Sequence, residues 1–179
     1  MNDSPTLVET AAELRRAFDG SFAAPSEPVS QEVEDLLAIG VAGSPYAIHL
    51  RDIAAIVTRR TIVPVPAAAP SLLGVAGIRG DIVPVFGLAS LLGCEDAADG
   101  PPWLVLCRAE PVALGFADLQ GYLRLPRSAL HTEKSAAASD QYVNEIATTN
   151  AGVRAVIGIS LIVATIRDRL GRERPSKEH

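Results

Sequence analysis

The stretch Leu72-Leu73-Gly74-Val75-Ala76-Gly77-Ile78-Arg79-Gly80-Asp81-Ile82-Val83-Pro84-Val85-Phe86 decides the fold. Gly80-Asp81 suits the centre of a type I′ or II′ turn, because glycine tolerates positive φ. The apolar runs on either side predict a hairpin of residues 75–78 against 82–85, with Arg79 at its tip. Pro84 has no N–H to give to a ladder, so its strand is expected at a sheet edge or with a bulge. Residues 88–92 read as a short helical turn stopped by Gly93.

Moving toward the N-terminus, residues 36–41 and 46–50 flank Gly43-Ser44, a second hairpin signal. Residues 53–65 form another β-branched run, interrupted by Pro64, Pro66 and Pro70. Before them lies a different pattern. Pro5, with Thr6 and Glu9 at capping-box spacing, starts a predicted helix whose Leu7, Ala11, Leu14 and Phe18 share one stripe. Gly20 ends it, and residues 21–34 have the composition of a linker. The organisation expected is a helix and linker over 1–34, a β domain over 35–172 and a disordered tail over 173–179.

Toward the C-terminus, residues 103–108 and 111–116 flank Ala109-Glu110, and 119–125 continue the apolar pattern. Residues 132–141 are small and polar, hence a loop. Residues 142–148 and 153–159 surround Asn150-Ala151-Gly152 as another hairpin. Residues 161–170 read as a final helix with Ser160 as N-cap, Arg167 and Arg169 near its end and Gly171 as its stop. Residues 83–88 and 154–159 echo one another as strand, glycine, helical turn. Many short strands in two similar blocks predict two small barrels.

Composition excludes several function classes. The 179 residues are 48% apolar and only 4% aromatic, so the core is expected to be Val, Ile, Leu and Ala. A net charge of −5 argues against a general nucleic-acid binder. The greasiest run, 153–166, contains Arg154 and is too short to span a bilayer. The acidic N-terminus lacks an apolar signal core. Cys94 and Cys107 have neither metal nor redox spacing, which fits a reducing cytoplasmic setting.

No catalytic constellation emerges, and no metal or cofactor is expected. His49, His131 and His179 lack metal-ligand spacing; His49 reads as a strand-surface residue and His131 as a loop residue. Cys107 reads as a small core residue. Gly74, Gly77 and Gly80 are spaced GxxGxxG with no Lys-Ser/Thr after them and a strand next, so phosphate-loop logic fails. A small barrel enzyme would need His49 or Cys107 beside a carboxylate in a pocket. What remains is a surface. A glycine-studded hairpin with an arginine tip lets another backbone approach closely. Equally, Gly77 relieves crowding in a small barrel and Arg79 closes an internal salt bridge; the residues leave both open.

The ordered series Tyr46-Ala47-Ile48-x-Leu50, Ile62-x-Pro64-x-Pro66 and Pro70-x-x-Leu73-Gly74-Val75-x-Gly77-Ile78-Arg79-Gly80-x-Ile82-Val83-Pro84-Val85 resembles the CheW family signature. The resemblance covers residues 36–170 and weakens after Gly93. It implies a mainly β fold of two packed five-stranded SH3-like β-barrels, here with an N-terminal and a C-terminal helix. It also implies a non-enzymatic adaptor that bridges chemoreceptor cytoplasmic tips to the regulatory domain of a CheA-type histidine kinase. That role places the protein in the cytoplasm at chemosensory arrays, without direct membrane insertion. The resemblance marks Ile53, Gly74, Arg79 and Gly80 as near receptor contacts, and with Gly77, Ile78 and Val83 they form the expected protein-binding set. The chain departs from the pattern at Ala55, where the family carries Glu, and at Gly87-Leu88-Ala89, where it carries Asp-Leu-Arg. Gly158 stands where a late-strand Asp is expected, and Asp118 falls one residue out of frame. Those changes, with the N-terminal extension, admit an alternative: a localisation or competitor module recruiting another partner through its helix.

Overall fold

Short runs rich in β-branched and other apolar residues build the strands around short turns, in a computed structural model that describes residues 32–66, 69–95, 100–132 and 141–172. The predicted N-terminal helix, most of the linker and the C-terminal tail lie outside the described residues. The strands are β1 (Val33–Val41), β2 (Ser44–His49), β3 (Ile53–Thr58), β4 (Leu72–Ile78), β5 (Asp81–Gly87), β6 (Trp103–Cys107), β7 (Ala113–Phe116), β8 (Asp118–Pro126), β9 (Leu130–Thr132), β10 (Val143–Thr149) and β11 (Gly152–Ile157). Two α-helices accompany them, α1 (Leu88–Leu91) and α2 (Ile159–Arg172).

The mainly β, two-lobed expectation holds, with a different strand count and order. Lobe 1 is a six-stranded sheet, β8-β1-β2-β11-β10-β9, and lobe 2 a five-stranded sheet, β3-β6-β7-β5-β4. The sixth strand is the three-residue β9, formed where His131 was expected in a loop. The lobes are not consecutive blocks either. The chain leaves lobe 1 after β2, builds all of lobe 2, and returns at β8. Parallel pairing of β11 with β2 (Val156 opposite Ala47) makes this possible.

The chain links the two edge strands of each sheet, by covalent continuity in lobe 1 and by a backbone bridge in lobe 2. The edge strands of lobe 1, β8 and β9, are joined by the 3-10 turn Arg127–Ala129. In lobe 2, Val63 follows edge strand β3 and exchanges two backbone bonds with Val75 of the other edge (2.8 and 2.9 Å). Gly74 permits that bridge: its φ is +145°, and a Cβ there would stand 2.2 Å from the Val63 carbonyl oxygen.

Strand alternation explains why many strands read as nearly continuous apolar runs. Successive side chains point to opposite faces, and here both faces are buried. Leu36, Ala47 and Val156 fill lobe 1, while Leu104, Ala113 and Val85 fill lobe 2. Their neighbours Leu37, Ile48, Ile157, Val105, Leu114 and Phe86 enter a third cluster drawn from both sheets. Both helices seal that cluster, α2 through Ile159, Ile162, Val163 and Ile166 at helical spacing. Among the described residues no helix is long and apolar enough to cross a membrane.

Three local expectations shift by one or two residues. The lobe-1 hairpin turns on Ala42-Gly43 (φ +48° and +79°) and the lobe-2 hairpin on Arg79-Gly80 (φ +56° and +93°). Each pair lies one position before the predicted turn centre, because Val41 pairs with Ser44 and Ile78 with Asp81. Both are two-residue loops with positive φ at each central position, the type I′ geometry. The final helix begins at Ile159 rather than after Ser160, since the Gly158 carbonyl accepts its first bonds, from Leu161 and Ile162.

Candidate protein-interaction surface

The β4–β5 hairpin derives its exposed face from the phase of its ladder. Val75 gives its N–H and C=O to Val63, on the side away from β5. Bonded and non-bonded pairs alternate in an antiparallel ladder. Val75 opposite Pro84 is therefore a non-bonded pair, and so is Gly77 opposite Ile82. The missing N–H of Pro84 costs nothing to β4. The expectation that Pro84 marks an edge or a bulge is met only in part: β5 is an inner strand, but its pairing with β7 begins at Val85. Residues 81–84 thus project beyond β7.

Alternation then sorts the hairpin. Ala76, Ile78, Val83 and Val85 point into the lobe-2 core. Val75, Gly77, Ile82 and Pro84 point outward, beside the exposed Val63. Ile82 is 79% exposed, the most exposed large apolar residue among those described. Of the expected binding set, Gly77, Arg79 and Gly80 lie at the surface. Ile53, Gly74, Ile78 and Val83 are buried, so they position the surface without forming it. Ile82 is not in that set; the inward phase of Val83 and Val85 is the signal in the sequence that marks it as exposed.

Beneath the hairpin tip, charged residues join apolar ones. Arg79, Asp81, Arg108 and Glu110 line a cavity of about 330 Å³. Arg79 makes no ion pair among the described residues, which removes the internal salt bridge as its explanation. Arg108 instead holds the crossover between lobes, donating from Nε to the Arg51 carbonyl and from Nη2 to the Ile53 carbonyl, both at 2.8 Å. Cys107 also lines the cavity, but burial, reinforced by the Asp52 carboxylate, pushes its thiol up to about 12. A thiol held neutral is a poor nucleophile. Among the described residues no three metal-ligating side chains come together.

His49 overturns its sequence reading. It is 2% exposed rather than on a strand surface, and its Nε2 lies 2.7 Å from Glu145 Oε2. Its Nδ1 lies 3.3 Å from Glu34 Oε2. Arg127 closes on Glu145 and Arg51 on Glu34, both at 2.6 Å. Burial pushes the Glu145 carboxyl up, but hydrogen bonds from His49 and Arg127 outweigh it and hold the group below its usual value. The cluster ties β1, β2 and β10 to the turn Leu50–Asp52 that leads into lobe 2. It is a structural clamp.

Two comparisons bear on this architecture. The CheW-like domain family matches residues 35–171. The solved scaffolding protein TtCheW from Thermoanaerobacter tengcongensis aligns with a TM-score of 0.63 at 16% identity, over 70% of this chain and 89% of that one. No curated protein sequence matches the chain.

Proposed function

The chain belongs to the CheW-like domain family, and from that premise we propose that it is a non-catalytic adaptor coupling chemoreceptor tips to a CheA-type histidine kinase. One observation carries the reading beyond the family: a projecting hairpin presents Ile82, Gly77 and an Arg79 with no ion pair among the described residues. An exposed aliphatic side chain beside an arginine and a glycine-backed edge has the make-up of a small interaction centre. The buried set Ile53, Gly74, Ile78 and Val83 supports it by fixing the hairpin on its barrel. The kinase regulatory domain and the receptor tip are the partners proposed, at chemosensory arrays in the cytoplasm.

The departures from the family pattern bear on which partner is held. Gly87 and Ala89, which replace a carboxylate and an arginine, are buried at the start of α1. This part of the adaptor is therefore built for packing, and the hairpin is left as the main polar and apolar contact. The test is co-purification of the full chain with a CheA-type regulatory domain and, separately, with a receptor-tip fragment. The wild type is expected to retain the kinase domain and Ile82→Asp to lose it. No retention of either partner by a correctly folded chain would sink the proposal.

A further inference from the structure

The outer edge of β8 carries a second surface, far in character from the lobe-2 hairpin. The Arg127 N–H donates to the Glu32 carbonyl (2.7 Å), which fixes the phase of the β1–β8 ladder. By alternation, Glu34 with Leu125 and Leu36 with Leu123 are bonded pairs, whereas Asp35 with Arg124 and Leu37 with Tyr122 are not. The main-chain N–H and C=O groups of Tyr122 and Arg124 therefore point away from β1. Because β8 is the outermost strand of its sheet, they meet no strand on that side among the described residues. Pro126, which has no N–H, falls on the same outward phase.

Facing this edge is the tip of the β10–β11 hairpin, around Thr149 and Asn150, and the cleft between them encloses about 580 Å³. Leu123 and Leu125 pack inward against the lobe-1 core, so the edge is firmly backed. Two arginines line the cleft, Arg124 and Arg154, and no carboxylate does. Arg124 is 64% exposed, with its one described ion pair a loose 3.7 Å contact to Asp35. Arg154 reaches along the wall to Gln120 Oε1 (2.7 Å).

We propose that this cleft binds an extended, acidic segment of a partner protein as an added strand on β8. Outward N–H and C=O groups at alternate residues match the two-residue repeat of an extended chain. The arginines would select carboxylates on alternate side chains. A second copy pairing edge to edge would bring its own Arg124 to a cleft already lined by two arginines, which like charge disfavours. The inference does not depend on the kinase-coupling reading, because it concerns the other lobe.

The test is amide NMR on the isotope-labelled full chain, titrated with a synthetic octapeptide of alternating Glu and Val and with its Lys–Val counterpart. The Glu–Val peptide is expected to shift the Tyr122 and Arg124 amides and slow their exchange, leaving Gly77 unmoved. Arg124→Glu should weaken binding about tenfold. Arg124→Pro, which removes an outward donor together with the charge, should abolish the protection while Leu123 and Leu125 keep theirs; if that variant unfolds β8, the charge reversal alone decides. Unmoved edge amides, equal binding of the Lys–Val peptide, or dimerisation of the chain through this edge would each overturn the proposal.

Discussion

Lobe 1 and lobe 2 use the same device, a ladder ended by a two-residue turn of residue then glycine, and put it to different ends. In lobe 1 the Ala42-Gly43 turn joins strands whose far end is locked by the buried His49 and Glu145 with the half-buried Arg127. In lobe 2 the interior is aliphatic, and the Arg79-Gly80 turn tips a hairpin that runs past its neighbour strand. Behind the first turn polar side chains pair inward; at the second they stand outward.

The sharpest way to break this contrast is to remove the lock. His49→Ala leaves the buried Glu145 with only Arg127 to answer it, and losing a hydrogen bond to a charged group costs about 1.5–3 kcal/mol. Chemical denaturation should show that loss, whereas a stability within about 0.5 kcal/mol of wild type would deny the cluster its role. A related expectation concerns acid. The folded Glu145 carboxyl sits below its unfolded value, so its contribution is present above the unfolded value, about 4.3. It fades as pH falls through the folded value. Glu145→Gln should therefore flatten the acid limb of a stability–pH curve, and an unchanged limb would contradict the sign.

The lobe-2 side predicts the opposite combination. Ile82→Asp should leave stability within about 0.5 kcal/mol, as surface changes do, yet weaken kinase-domain binding at least about tenfold, or 1.4 kcal/mol. Calorimetry on the purified pair reads both. The smallest effect separates the two turns. Ala42 and Arg79 are non-glycine residues at positive φ, so replacing either by glycine should stabilise by up to about 1 kcal/mol. Ala42→Gly should not alter partner binding, whereas Arg79→Gly should weaken it. Equal behaviour of the two variants would erase the distinction between the turns.

Much of the lobe-2 hairpin was legible in the sequence, because alternation and glycine placement are local signals. The one-residue error at both turns has a physical cause. Alanine and arginine are disfavoured in the left-handed region, so local chemistry pointed to the next glycine-led pair. Ladder register, fixed along whole strands, overrode it. The clamp was not legible at all. His49 and Glu145 lie 96 positions apart, and nothing near either announces the other. His49 alternates with apolar neighbours on a strand, which reads as a surface position whenever only one face is assumed buried.

By itself, then, the sequence determined that this is a mainly β chain of short strands, with an aliphatic core and an arginine-tipped glycine hairpin. Those features rest on interactions within a few residues. Only the tertiary structure decided that lobe 2 is inserted into lobe 1, that a histidine is buried between carboxylates, and that Ile82 rather than Ile78 faces outward. Each of these depends on which distant strands pair and in what register. Long-range pairing is settled by packing apolar residues of several distant strands into shared clusters, and no local window of residues contains that requirement.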